Sequence, residues 1–324
     1  MRRLNKYLSA VLVALFCAAC STQVKEDQGH GPDTWQFSNA QSQFFVDRGE
    51  YGKALEQANL TLKRVKAQSG KSHPDVSIAL SQIARIYALM YNHRFAESHY
   101  RMALKVRKQA VGTDNLLYAD SMRGLGTALY HQQKYAQAQS VLESALATAV
   151  NRVGWKSPQL LSYLRRLARA YEIRSKFDKA VPLRDRAVVL AEQKFGAGHP
   201  ELAEAQARLA YATTYNGNPA RAAALFERSL PVLERHHGAN SPQLAMTLDH
   251  LGAAYSLQKR YSAAEPVLSR ALSIRKQVYG QSHLEVANSY ERLADLYKGM
   301  GRAQDSFNSR EKANKIRNTI KTRI

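Results

Sequence analysis

Few side chains in this 324-residue chain are spaced for catalysis. Ten histidines are present, yet none stands with Cys, Asp or Glu at metal-ligand spacing. His73 and His199 each precede a proline, and His283 holds the same place in a later copy of the pattern described below. His236 and His237 close an apolar run, where an imidazolium suits the end of a helix. The serines lack the strand–turn–helix context that exposes a nucleophile, and no glycine-rich loop could cradle a phosphate. What remains is guanidinium chemistry. Arg165 and Arg169 are four apart and share a helix face. A guanidinium grips a carboxylate with two parallel hydrogen bonds. These residues predict recognition of an acidic partner, with no enzymatic role, no cofactor and no metal.

The elements that must hold these arginines repeat. Gly70, Gly112, Gly154, Gly196, Gly238 and Gly280 recur every 42 residues. So do Ala54, Ala96, Ala138, Ala180, Ala222 and Ala264, and so does the series Ala103, Ala145, Ala187, Ser229, Ala271, Ala313. A fixed period is the signature of one supersecondary unit copied and stacked. In 242–280, Leu244, Leu248, Leu251 and Tyr255 fall at helical spacing after Ser241-Pro242, an N-cap followed by proline. Tyr261, Ala264, Leu268, Ala271, Leu272 and Ile274 form a second helix, with Pro266 early in it, and Gly280 ends it with a left-handed residue. The unit is a hairpin of helix A and helix B. The first alanine series is expected to seat helix B on its own helix A, and the second to seat it on the next hairpin.

The stretches His73-Pro74-Asp75-Val76, Leu251-Gly252-Ala253-Ala254-Tyr255 and Ala264 to Leu272 resemble the tetratricopeptide repeat in its kinesin-light-chain-like form. The resemblance covers nearly everything after residue 34. It implies an all-α, right-handed solenoid of about seven antiparallel hairpins over 35–322: 35–70, 74–112, 116–154, 158–196, 200–238, 242–280 and 284–320. In the first, degenerate copy Phe45 takes the aromatic place of helix A. Hairpin 200–238 departs most: Pro219 replaces an aromatic, Gln206 a leucine and Thr213 a tyrosine, and Pro231 is expected to kink its B helix or serve as a hinge.

In tetratricopeptide repeats helix A lines a concave wall, and three columns of helix A face that groove. They hold Ser81, Arg123, Arg165, Ala207, Asp249, Glu291; then Gln82, Gly124, Arg166, Arg208, His250, Arg292; then Arg85, Thr127, Arg169, Tyr211, Ala253, Asp295. The candidate groove is therefore Arg85, Arg123, Tyr130, Arg165, Arg166, Arg169, Arg208, Tyr211 and Tyr215. Arg123, Arg165, Arg169 and Arg208 are expected to form one positive strip over three adjacent helices, with the tyrosines as stacking surface for a peptide carrying acidic and aromatic residues. The competing reading is a solvated helix face. Arg107 and Lys108 are expected on the convex side.

The chain opens with Arg2, Arg3 and Lys6 before the apolar run Leu8 to Phe16, which is too short to span a bilayer. Ala18-Ala19-Cys20 resembles a bacterial lipobox, so 1–19 is read as a lipoprotein signal, Cys20 as the acylated residue and 20–34 as a tether. A plain secretory signal is the alternative. Ser21 after the cysteine implies the outer membrane, facing the periplasm. The formal charge is +21, and loss of the three signal cations leaves about +18. That charge suits nucleic acid too, but an exported chain rarely meets it. The expected role is a membrane-anchored scaffold for a protein or peptide, without a small-molecule substrate. Alternatives are an assembly or pilot factor for a pilus or secretion channel, and an accessory subunit regulating an envelope enzyme such as a cell-wall hydrolase.

Overall fold

The computed structural model describes residues 34–322, and these are all-α in helical hairpins. The signal 1–19, Cys20 and all but the last residue of the tether lie outside the described residues. The A helices are α1 (Trp35–Asp47), α3 (Pro74–Leu89), α5 (Leu116–His131), α7 (Leu161–Glu172, after a 3-10 turn Pro158–Leu160), α9 (Pro200–Tyr215), α11 (Pro242–Leu257) and α13 (Leu284–Gly299). The B helices are α2 (Tyr51–Ser69), α4 (His93–Val111), α6 (Tyr135–Val153), α8 (Phe177–Phe195), α10 (Pro219–His237), α12 (Tyr261–Tyr279) and α14 (Ala303–Lys321). Seven hairpins result among the described residues. They divide into two compact units, with the boundary inside α6 between Thr148 and Ala149. In the first unit α3 touches α5; in the second α9 touches α11 and α11 touches α13, so these A helices line up side by side.

Local chemistry sets both ends of each helix. Asn115 and Ser241 accept a hydrogen bond from the backbone N–H three residues on, at 2.8 and 3.2 Å. The rings of His73, His199 and His283 do the same through Nδ1 to the N–H two residues on, at 3.3, 3.1 and 3.2 Å. These histidines are caps. The B helices end on glycines whose backbone is more demanding than the left-handed turn expected: Gly70, Gly196 and Gly280 combine φ of 85, 83 and 78° with ψ of 164, 171 and 170°, a region open essentially to glycine alone. A second column needs positive φ where helix A turns into helix B. It holds Gly49, Gly217 and Gly301, but also Tyr91, Gln133, Ser175 and Lys259 at φ of 58, 62, 55 and 58°.

Both small-residue columns are buried at every position, from Ala54 to Ala264 and from Ala103 to Ala313. In hairpin 242–280 Ala271, expected against the next hairpin, clusters with Leu244, Ala245 and Leu248 of its own A helix. The cluster holding Ala264 takes in Leu251, Ala254 and Tyr255 of its own A helix and also Leu293 and Leu296 of the next hairpin. Pro219 does not weaken its helix: it is the first residue of α10, where no N–H is needed, and Asn218 caps it by accepting from Arg221 N–H at 3.1 Å. Pro231 lies inside α10, Pro182 inside α8 and Pro266 inside α12, beyond the tolerated first turn, and each helix continues through. Gln206 and Thr213 are buried, and the Thr213 hydroxyl has no hydrogen-bond partner.

Polar links tie successive hairpins. Glu97 of α4 accepts from Lys134 at 2.9 Å and from Gln132 at 2.8 Å, across to the next hairpin, and from Arg101 at 3.0 Å. Its burial would raise the carboxyl pKa, but the hydrogen bonds of Lys134, Arg101 and Gln132 outweigh this and hold it at about 2.

Candidate functional site

The arginine column of helix A must be read with a column of helix B. Arg107, expected on the convex side, is only 3% exposed. Its side chain reaches inward, donating to Ser77 at 3.0 Å, to Ser121 at 2.7 Å and to the Leu117 carbonyl. Arg275, four copies later, is 5% exposed; it donates to Asp249 at 2.5 Å and to Ser289 at 2.6 Å. Asp249 is 1% exposed and also takes Arg292 at 3.3 Å. Arg317 pairs with Glu291 at 2.7 Å, and Arg310 with Asp295 at 2.9 Å. The acids of the groove columns are thus internal counterions. Along the chain, helix B carries Arg107, Arg275 and Arg317 where helix A carries Ser81, Asp249 and Glu291; it carries Ala149 and Ala191 where helix A carries Arg123 and Arg165. In those two copies an alanine in helix B leaves the guanidinium to helix A, whereas the copy with Leu233 and Ala207 has none in either place.

The first unit holds Arg85, Arg123 and Tyr130. Arg85 is exposed and donates to Gln43 of α1. Arg123 pairs with Asp120 one turn before it at 3.0 Å. Tyr130 packs edge-on against Tyr135, with ring centroids 5.3 Å apart. The second unit holds the rest. Arg165 is matched by Glu201 of α9 at 2.6 Å. Arg166, Arg169 and Arg208 are exposed. Tyr215 stacks on Phe177 at 5.3 Å and meets Tyr211 at 5.0 Å; Tyr211 in turn meets His250 of α11 at 4.8 Å. The expected single strip therefore falls in two units, and its members Arg123 and Arg165 are ion-paired. The second unit thus carries Arg166 and Arg169 on α7 and Arg208, Tyr211 and Tyr215 on α9.

His250 belongs to this face although sequence reasoning assigned it no role. Burial lowers its pKa most, and Arg292, Arg208 and Arg275 lower it further, to about 4, so the ring is neutral at pH 7. Its Nδ1 has no hydrogen-bond partner. Two large apolar residues carry no sequence assignment, Ile173 and Leu257; with Tyr215 between them they are spaced 42 apart, and Ile173, Tyr215 and Leu257 are 49, 48 and 59% exposed at the C-cap of α7 and the ends of α9 and α11. Among the described residues no group of three or more His, Cys, Asp or Glu could hold a metal, and no helix is long and apolar enough to cross a membrane.

A family model for the tetratricopeptide repeat matches residues 39–109, 90–149, 159–235, 205–277 and 243–318. Solved structures resemble the chain at low identity. Nearly identical TPR-like repeats described as a kinesin light chain of Podosopora anserina share 20% identity at TM-score 0.55, over 64% of this chain and 99% of that one. BtubC (BKLC) of P. vanneervenii gives 21% and 0.58, over 72% and 91%. RapI in its apo form gives 14% and 0.63, over 89% and 99%. At such identities the likeness is one of fold. No curated protein matches the chain by sequence.

Proposed function

Because the chain belongs to the tetratricopeptide repeat family, we propose that it is a non-catalytic scaffold that holds an acidic segment of a partner protein on the A helices of its second unit. One observation carries this reading. Arg166 and Arg169 on α7 and Arg208 on α9 are exposed, in the unit whose α9 also carries Tyr211 and Tyr215. Exposed guanidinium groups favour carboxylates and aromatic side chains. The test is double charge reversal. Arg166→Glu with Arg169→Glu should abolish capture of an acidic partner from detergent-solubilised membranes, without a change in helicity. The control is Lys105→Glu with Lys108→Glu, exposed positions of α4 with equal charge change. Equal loss from both pairs would mean diffuse attraction and end the proposal.

The scaffold's place in the cell envelope, anchored through Cys20, is the second part of the proposal. It rests on the basic residues, apolar run and Ala18-Ala19-Cys20 of the N-terminus. Fatty-acid labelling of the wild type, lost in Cys20→Ala, supports it; an unlabelled wild type refutes it.

A further inference from the structure

We propose that the segment held by the second unit is an amphipathic α-helix lying across α7, α9 and α11, with an acidic stripe over Arg166 and Arg208 and an apolar stripe over Ile173, Tyr215 and Leu257. The inference rests on the partner-binding reading above and gives that partner a conformation and a side-chain register.

Two rows on this face call for it. Ile173 at the C-cap of α7, and Tyr215 and Leu257 at the ends of α9 and α11, are about half exposed. Two turns earlier, on the same face of each helix, stand Arg166, Arg208 and His250. Seven residues of helix span about 10.5 Å, close to the 10–12 Å diameter of an α-helix with its side chains. One helix laid across the three would touch both rows along its two flanks.

Spacing along each row argues the same way. Packed helices stand about 8–10 Å apart. Arg165 bonded to Glu201 ties α7 to α9, and Tyr211 against His250 ties α9 to α11. Each row therefore offers one contact about every 10 Å. In an α-helix, residues seven apart recur on one face at about 10.5 Å. An extended strand covers about 10 Å in three residues, and those residues point to opposite faces. Only the helix presents a matching side chain to every site. The cationic row is also asymmetric: its third place is His250, whose ring is neutral. Acidic residues are needed at two successive heptads, and a neutral one at the third.

Three-heptad synthetic peptides test this on the full chain in detergent. One carries glutamate and leucine stripes at heptad spacing. A second has the same composition scrambled, and a third has a central proline. The striped peptide should bind at least about ten-fold tighter than the others and gain helical circular dichroism on binding. Ile173→Asp and Leu257→Asp should each weaken it about ten-fold. Arg166→Glu with Arg208→Glu should lose it and gain a lysine-striped counterpart, a gain that unfolding cannot produce. If the scrambled peptide binds as tightly and the arginine variant still weakens it, the helical inference is wrong and the acidic-partner reading stands. If no acidic peptide binds, both fall.

Discussion

Replacing Asp249 by alanine would leave Arg275 buried without its nearest carboxylate. Asp249 is 1% exposed, accepts from Arg275 at 2.5 Å and forms an ion pair with Arg292 at 3.3 Å. Arg292 can turn to water, but Arg275 keeps only Ser289 and a distant Glu285 at 3.6 Å. Removing one partner of a buried pair costs about 3–5 kcal/mol, because the remaining charge is stranded in a poor solvent. For a domain of 150–250 residues, about 2–4 °C of melting temperature follow each kcal/mol, so a drop of about 6–20 °C is expected. Three further variants separate causes. Asp249→Ser copies the hydroxyl environment in which Arg107 lives, and should recover part of the loss. Asp249→Leu with Arg275→Met removes both charges and should lie within about 2 kcal/mol of wild type. Ser81→Asp gives Arg107 the carboxylate it lacks and should raise the midpoint. Circular dichroism melts and urea titrations at pH 7 decide. A loss below about 1 kcal/mol for Asp249→Ala, or a double variant as unstable as the single, would refute the claim that a buried guanidinium governs this interface.

Other outcomes follow from single residues. His250 is neutral in the folded chain and has a pKa of about 4 against an unfolded value near 6.5. Its contribution is therefore whole above pH 6.5 and is lost at about 1.4 kcal/mol per unit as pH falls toward 4; His250→Phe should lack that loss, so the wild-type-minus-variant stability difference falls with that slope across the window. Tyr91→Gly and Lys259→Gly relieve side-chain strain at φ of 58° and should each stabilise by about 1 kcal/mol in urea melts. Thr213→Val removes a buried, unpaired hydroxyl and should leave stability unchanged or raise it by about 1 kcal/mol by thermal melt. Ala138→Leu, at a position with no exposure, should cost about 1–3 kcal/mol by overpacking, and an unchanged midpoint would contradict the alanine column.

The hairpins were legible because period and type coincide: the same small residue returns at the same buried place in every copy. What escaped was whatever changes type at a constant place. The turn column shows glycine at 49, 217 and 301 but tyrosine, glutamine, serine and lysine elsewhere, so its shared backbone is hidden behind unlike side chains. Arg107 was read as surface because an isolated charge usually is. The correcting signal was present in Ala149, Ala191 and Leu233 of its column, and in Ser77 and Ser121 around it. The groove arginines were read from one helix at a time, and pairing is a property of two: Arg165 looked available until Glu201 of the next hairpin stood 2.6 Å from it. Division into two units within α6 has no counterpart in the period, which runs through it unchanged.

The exchange of arginine between helix A and helix B makes the hairpins unequal as modules. Duplicated copies have kept one period, yet each has settled into the polarity of its successor, and in-register recombination would break that match. Deleting residues 116–157 would preserve the 42-residue beat and bring Tyr163 to the place of Ser121. Arg107 would then face a phenol ring where its hydroxyl acceptor had stood at 2.7 Å. Copies that recombine freely in length are thereby held in order by their interior charges.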